Sequence, residues 1–346
     1  MIKEAIAKLI LKNYLTFGEA KETFTEIFNH KATPAQISAF LVALKMKGEQ
    51  EEEILAAATV VREKAHKLKV KGDFMGMETE EPIMDTCGTG GSGVNKFNIS
   101  TAVAFIVSAS GVKVAKHGNR AMSSNCGSAD VLEALGIKVD APVSLMEEAI
   151  KKLGIGFLYA PLYHPALASV AAVRKEIGIR TIFNILGPLC NPALATHQVV
   201  GVYSENLVAV IARVLKRIGL ERAFVVYSKD LKDEVSLSGE TIAAFLDNKK
   251  IKKISLKPSD FGLKKVYIKD LEVKSAQESA KIIRDILDGK VSPARDIALA
   301  NASVCFYVLG KTGNFKEGVN FAARLIAERK AKEKFLRFKE FLAKDA

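Results

Sequence analysis

Across residues 1–70 the pattern of apolar and polar positions reads as helical, and the breaks carry capping chemistry. Thr33-Pro34-Ala35-Gln36 pairs a capping box with proline at the first helical position, predicting a helix that runs to Gly48 as its stop. The next helix opens on Glu49–Glu53 and closes on Arg62–Lys69, the charge order that complements a helix dipole. Between Val70 and Glu81 the periodicity lapses into a Gly- and Met-rich stretch, read as a linker.

From Pro82 the pattern changes. Ile83–Asp85 reads as a short buried strand, followed by a glycine loop and a helix over Ile99–Ser110 that ends at Gly111. Val112–Ala115 is a second strand. Helix Ala129–Leu135 with strand Ile137–Val139, helix Leu145–Leu153 with strand Ile155–Tyr159, and helix Leu207–Ile218 with strand Ala223–Tyr227 follow. Small residues predict a helix over Ala166–Val173, with Arg174 just beyond it. Thr241–Leu246 and Lys252–Leu256 are later strands, and the tail from Ser275 is helical, with Ser292-Pro293 as another cap and start. This alternation implies an α/β fold with a mostly parallel central sheet behind an N-terminal helical domain. The expected boundaries are 1–72 for the helical domain, which helices near 166–190 are expected to join, and 80–346 for the α/β domain.

Composition narrows the function. At 346 residues, 49% hydrophobic and 26% charged, the chain matches an ordinary globular enzyme. Its start lacks a signal peptide's apolar centre, and no apolar stretch approaches the length of a spanning helix, so a cytoplasmic location is expected. The four cysteines, Cys87, Cys126, Cys190 and Cys305, show no CxxC spacing, which argues against a zinc site or a disulfide framework. A net charge of +12 invites a nucleic-acid reading. The excess, however, sits in Lys249–Lys265 and in Arg324–Lys344, where Glu328, Glu333 and Glu340 interleave as on a solvated face, and no nucleic-acid-binding signature accompanies it. An anionic small substrate exploits the same field.

Gly88-Thr89-Gly90-Gly91-Ser92-Gly93 lies between strand and helix, where glycines let backbone N–H groups approach an anion. Asn98, Ser100 and Thr101 add capping and hydroxyl groups at the helix start. The dinucleotide fingerprint needs an acidic residue after the second strand; here that strand leads into Lys116-His117, which is cationic. No Gly-Lys-[Ser/Thr] follows, so this is not a P-loop. In a right-handed crossover Lys116-His117-Gly118-Asn119-Arg120 faces the glycine loop across one cleft, with Ser123, Ser124 and Ser128 close behind. That arrangement suits a ligand with two phosphate groups. His117 by itself reads as a structural histidine at least as readily as a catalyst.

The runs Asp85–Thr101, Val114–Ser124, Gly127–Gly136 and Val173–Pro192 closely resemble the anthranilate phosphoribosyltransferase family, and the likeness extends over nearly the whole chain. The resemblance implies a nucleoside-phosphorylase-like fold and transfer of a phosphoribosyl group from phosphoribosyl pyrophosphate (PRPP) to anthranilate. By motif, Gly88, Gly91, Ser92, Lys96, Asn98, Ile99, Ser100, Thr101, Lys116, His117, Gly118, Asn119, Arg120, Ala121, Met122, Ser123, Ser124 and Ser128 are the implied PRPP site. Ser100, Asp233 and Glu234 are the implied Mg2+ positions, and Gly88, Asn119, His164 and Arg174 the implied anthranilate contacts. Lys116, Asn119 and Arg174 carry the implied catalysis. The arginine fork suits a carboxylate, and His164-Pro165 is expected to wall the aromatic pocket. A homodimer through the N-terminal helices is also implied.

Two departures stand out. The family usually carries Asp where this chain has Ser92, and Thr where it has Lys96, so a more cationic loop is expected and its magnesium dependence is in question. The runner-up reading is a pyrimidine nucleoside phosphorylase, against which the glycine run and the Arg174–Pro192 segment speak. A non-catalytic nucleic-acid-binding relative is the reading from another class.

Overall fold

The structure, a computed structural model, describes residues 1–70, 72–74, 77–79, 81–121 and 126–344, with backbone alone for the two short stretches. The N-terminal helices are α1 (Ile2–Ile10), α2 (Phe17–Phe28), α3 (Pro34–Lys47) and α4 (Glu51–Lys64). Local chemistry sets their ends. The Thr33 hydroxyl accepts from Gln36 N–H at 3.3 Å while the Gln36 amide oxygen accepts from Thr33 N–H at 2.9 Å, and α3 stops at Gly48, whose φ of +90° disfavours any side chain. Glu53 ties the group together from within. Its carboxylate accepts from the backbone of Leu15 at 3.0 Å and of Gln50 at 2.8 Å, and from the Lys47 ammonium at 2.7 Å. Both charged side chains are at most 2% exposed.

The expected linker instead contains a two-stranded hairpin, β1 (Gly72–Phe74) against β2 (Met77–Thr79). Strands of three residues are too short to leave a periodic signature. The main sheet comprises β3 (Ile83–Asp85), β4 (Lys113–Gly118), β5 (Ile155–Tyr159), β6 (His197–Gly201), β7 (Arg222–Ser228), β8 (Thr241–Asp247) and β9 (Lys250–Leu256). Their order is β5-β4-β3-β6-β7-β8-β9, parallel through β7 and antiparallel beyond it.

Three expectations change. Ile137–Val139 is no strand: both its apolar residues are buried from a turn, which satisfies the hydrophobic pattern without sheet pairing. Strand β6, central to the sheet, went unrecognised because His197 and Gln198 interrupt its apolar run, although all five of its residues are buried. The stretch Ala166–Val173 is a 3-10 helix (Pro165–Val170) running into an α-helix (Ala171–Ile177), so Arg174 lies inside that second helix.

Alternating side chains of the sheet feed two cores. Phe224 and Val226 of β7 face one, with α5 (Ile99–Ser108) and the helices after residue 275. Ala223 and Val225 face the other, with α1–α4 and the helices between 165 and 217. The N-terminal helices therefore share a core with one face of the sheet. On the far edge, β9 exposes Lys250, Lys252 and Lys253, charges of the kind that keep an open edge from pairing with another chain. Part of the basic stretch over 249–265 thus sits on this edge. No helix among the described residues is long and apolar enough to cross a membrane.

Candidate active site

Strands β3 and β4 are parallel neighbours, so the loops at their C-terminal ends open on the same edge, where α/β sheets bind ligands. The glycine loop adopts positive φ at Gly90, Gly91 and Gly93, +63°, +67° and +73°, a backbone that side chains rarely tolerate. It is pinned to β6: Thr89 N–H donates to Gly201 O at 2.8 Å, and Tyr203 N–H donates to the Thr89 hydroxyl at 3.2 Å. Gly201 has its own constraint, since a β-carbon there would sit 1.7 Å from the carbonyl oxygen of Asp233. The close approach brings the acidic loop after β7 up to the glycine loop.

The Asn98 side chain caps α5, accepting from Thr101 N–H at 3.1 Å and from the Thr101 hydroxyl at 2.7 Å. Thr101 is buried in this cap, while Asn98, Ile99 and Ser100 line the cleft. Lys116, 4% exposed at the end of β4, extends its ammonium to the Ser100 hydroxyl at 2.9 Å. A buried cation thus stands at the N-terminus of α5, where the helix dipole also favours an anion.

Lys96 behaves differently from the expectation of a freely cationic loop. Its ammonium donates to the Asp233 carboxylate at 2.6 Å, to Leu231 O at 3.1 Å and to the Ser92 hydroxyl at 3.3 Å. Its charge is largely met by Asp233. Next door, burial pushes the Glu234 carboxyl up, Lys96 opposes the shift, and Asp233 adds to it. Asn301 fixes the segment behind the acids by accepting from Val235 N–H at 3.0 Å.

In the run after β4, the Arg120 guanidinium is held bidentately by Glu133, at 2.6 Å on both sides, and by Asp130 at 3.2 Å, while the residue still lines the cleft. Asp130 also accepts from Ala121 N–H at 2.9 Å and Gly127 N–H at 2.8 Å. Ser128 donates weakly to Asn119 O, and Asn119 accepts from Arg120 N–H. Met122, Ser123 and Ser124 lie outside the described residues.

His117 is buried and structural in its bonding. Its Nδ1–H donates to Gly187 O at 2.8 Å, leaving Nε2 to accept from His164 Nε2–H at 3.2 Å. Burial lowers both pKa values, that of His164 to about 3, so both rings are neutral at pH 7. His164 contributes its ring to the wall. Opposite, the Arg174 guanidinium stacks over Phe183 at 5.3 Å, and burial depresses its pKa. Cys87, within the loop region, is held far from thiolate character by burial, then by Asp85, which removes it as a nucleophile.

One cleft of about 310 Å³ gathers these groups: Gly88, Gly91, Ser92, Lys96, Asn98, Ile99, Ser100, Lys116–Ala121, Ser128, His164, Arg174, Asp233 and Glu234. Sequence reasoning missed Phe183 and Asn184, which line it, and the buried Asp85, which organises it. Asp85 accepts from Cys87 N–H, His117 N–H, Asn191 Nδ2 and Gln198 Nε2. A carboxylate at the buried end of a strand was the available signal.

Two family models match the chain: the glycosyl transferase family helical bundle domain over residues 3–65, and the glycosyl transferase family a/b domain over residues 80–332. Anthranilate phosphoribosyltransferase from Geobacter sp. strain M21 is 48% identical over 332 residues, covering 94% of each chain. That of Persephonella marina is 46% identical over 342 residues, covering 99% of each. Among solved structures, anthranilate phosphoribosyltransferase from Thermus thermophilus superposes with a TM-score of 0.89 at 39% identity, covering 98% of this chain and 99% of that one. The Saccharomyces cerevisiae enzyme in complex with PRPP and Mg gives 0.87 at 27% identity, covering 99% of this chain and 98% of that one. Its complex with 4-fluoroanthranilate gives 0.85.

Proposed function

The chain belongs to the anthranilate phosphoribosyltransferase family, and we infer that the cleft at the C-terminal edge of its sheet performs that reaction. PRPP and anthranilate give N-(5-phosphoribosyl)anthranilate and pyrophosphate. The observation that carries the assignment to this cleft is the pairing of an anion cradle, the glycine loop with Lys116 and Ser100, with an arginine–aromatic wall made by Arg174 and Phe183.

In this reading the backbone amides of the glycine loop, the first turn of α5 and the Lys116 ammonium receive the diphosphate of PRPP. Preorganised donors aimed at the departing pyrophosphate lower the barrier where charge develops. Arg174 presents its fork to the anthranilate carboxylate, Phe183 and His164 shape the ring's slot, and Asn119 and Gly88 border the amine's approach. Holding the acceptor in line is worth a large share of the rate. The neutral aryl amine needs no strong base, which agrees with a cleft whose histidines are buried and tied to each other.

Ser100, Asp233 and Glu234 supply the hard oxygen donors that Mg2+ favours, and no cluster of three metal-ligating His, Cys, Asp or Glu side chains occurs among the described residues. Substrate phosphates and water complete such a shell. When bound, the ion would offset the negative charge of the leaving diphosphate.

Residues 1–72 are read as a helical domain and 80–346 as the catalytic domain. Ile10, Leu11, Tyr14 and Met46, on and beside α1 and α3, are all exposed, Met46 at 82%. Apolar residues so placed support a homodimer through this face. The four buried free cysteines fit the reducing interior of the cell, where we place the enzyme.

The direct test mixes protein, Mg2+, PRPP and anthranilate and follows loss of anthranilate fluorescence. Stable fluorescence together with phosphate-dependent cleavage of thymidine or uridine would favour the phosphorylase reading instead.

A further inference from the structure

The Lys96 ammonium has three N–H donors and three oxygens around it: carboxylate Asp233 at 2.6 Å, carbonyl Leu231 at 3.1 Å and hydroxyl Ser92 at 3.3 Å. Its side chain is 8% exposed and that of Asp233 12%, so the pair is nearly out of water, where an opposite charge matters most. Carboxylate, carbonyl and hydroxyl are also the oxygen types that hold hard cations. The ammonium therefore occupies a small oxygen-lined cation position at the acidic end of the cleft. The glycine loop itself contributes no carboxylate, since residue 92 is serine.

Resting on the PRPP reading above, we propose that Lys96 is a resident counter-cation for Asp233, so that this enzyme holds PRPP with one divalent ion fewer than the adjacent Asp233 and Glu234 would otherwise require. Without it, the Asp233 carboxylate stands unpaired beside Glu234 at the diphosphate, and its charge must be neutralised before the anion binds. With it, Asp233 is already paired in a fixed geometry, and only Glu234, with Ser100 and the substrate's own oxygens, is left to a metal. A lysine does this at no cost in recruited ions, because the charge is covalently in place. Asp233 then acts as a positioning residue for Lys96 more than as a metal ligand.

The test uses Mn2+ as a spectroscopically visible probe and the full chain. Bound Mn2+ is counted by electron paramagnetic resonance with and without PRPP, and PRPP affinity is measured by calorimetry in EDTA and in Mg2+. For the wild type, PRPP binding in EDTA should weaken by less than about tenfold. Lys96→Thr should add one Mn2+ per chain in the presence of PRPP and weaken PRPP binding in EDTA at least tenfold further, while binding in saturating Mg2+ recovers. An unchanged Mn2+ count together with unchanged metal-free PRPP affinity in Lys96→Thr overturns the proposal. If Lys96→Thr fails to fold, Asp233→Asn decides: the same Mn2+ count as wild type supports the proposal, and loss of one ion overturns it. A wild type that binds no PRPP in either medium defeats the substrate reading instead, and the Mn2+ count of the protein alone, wild type against variant, still decides the role of Lys96.

Discussion

Asn191 Nδ2 donates to Asp85 Oδ2 at 2.7 Å and, with its other hydrogen, to Ala115 O at 2.8 Å. One buried amide thus ties the end of β3 to β4, and Gln198 Nε2 joins β6 to the same carboxylate at 3.1 Å. Both loops of the cleft leave from this junction. Asp85→Asn would present a donor where the carboxylate now meets four. Each orphaned buried donor costs roughly 1–3 kcal/mol, so the variant should lose about 3 kcal/mol of stability with a fall in kcat that exceeds any change in KM. Chemical denaturation and initial rates check this; wild-type stability with wild-type kcat would remove Asp85 from the positioning role.

Arg174 predicts a separation of substrates. Its guanidinium lies over the Phe183 ring at 5.3 Å, on the aromatic wall assigned to the acceptor. Arg174→Ala should raise the anthranilate KM by at least tenfold and leave the PRPP KM within about threefold. Arg174→Lys keeps the charge but loses the planar fork, and should recover little. Equal effects on both KM values would sink the assignment.

Much of this site was legible because its chemistry is local. The glycine loop, its strand and its helix are contiguous, and the cationic Lys116-His117 follows directly on the apolar run of the second strand. Lys96 was visible as a departure, but its partner Asp233 lies 137 residues away, so the sequence announced a free cation where the fold makes an ion pair. Arg120 shows the same limit: its partner Glu133 lies in the following helix, and the sequence alone does not announce the pair. Strand β6 was hidden because a buried polar residue such as Gln198, whose Nε2 donates to Asp85 and to Pro188 O, looks in sequence like a break in an apolar run.

The histidine pair sets an acid limit on stability. His164 is held to about 3 in the folded state by burial and by His117, against about 6.5 in an unfolded chain. Above about pH 6.5 both states are neutral and the full contribution is present. As pH falls below that, the unfolded chain takes up a proton that the folded protein refuses until about pH 3, so stability declines. His197, held to about 4, acts in the same direction. Between about pH 7 and about pH 5 His164 alone should account for a loss of roughly 1–2 kcal/mol. Urea unfolding at the two pH values should show a shallower pH dependence in His164→Gln than in the wild type; identical slopes would refute the assignment.

The helical domain hangs on a second buried charge. Glu53 is fully buried, and its carboxylate accepts from Lys47, Leu15 N–H and Gln50 N–H, joining the end of α3, the loop before α2 and the start of α4. Removing one member of such a pair leaves the other charged and without a partner in a low-dielectric core, at a cost of about 3–5 kcal/mol. The Tyr14 ring, 4.5 Å from the Lys47 ammonium, is a further neighbour for its charge. Glu53→Ala should therefore destabilise the protein by that amount. Replacing both partners, Glu53→Leu with Lys47→Met, should restore much of it, because no unpaired charge remains buried. Calorimetric unfolding of the two variants separates the cases: a double variant no more stable than Glu53→Ala would mean that the backbone hydrogen bonds of Leu15 and Gln50, and not the ion pair, hold these helices together.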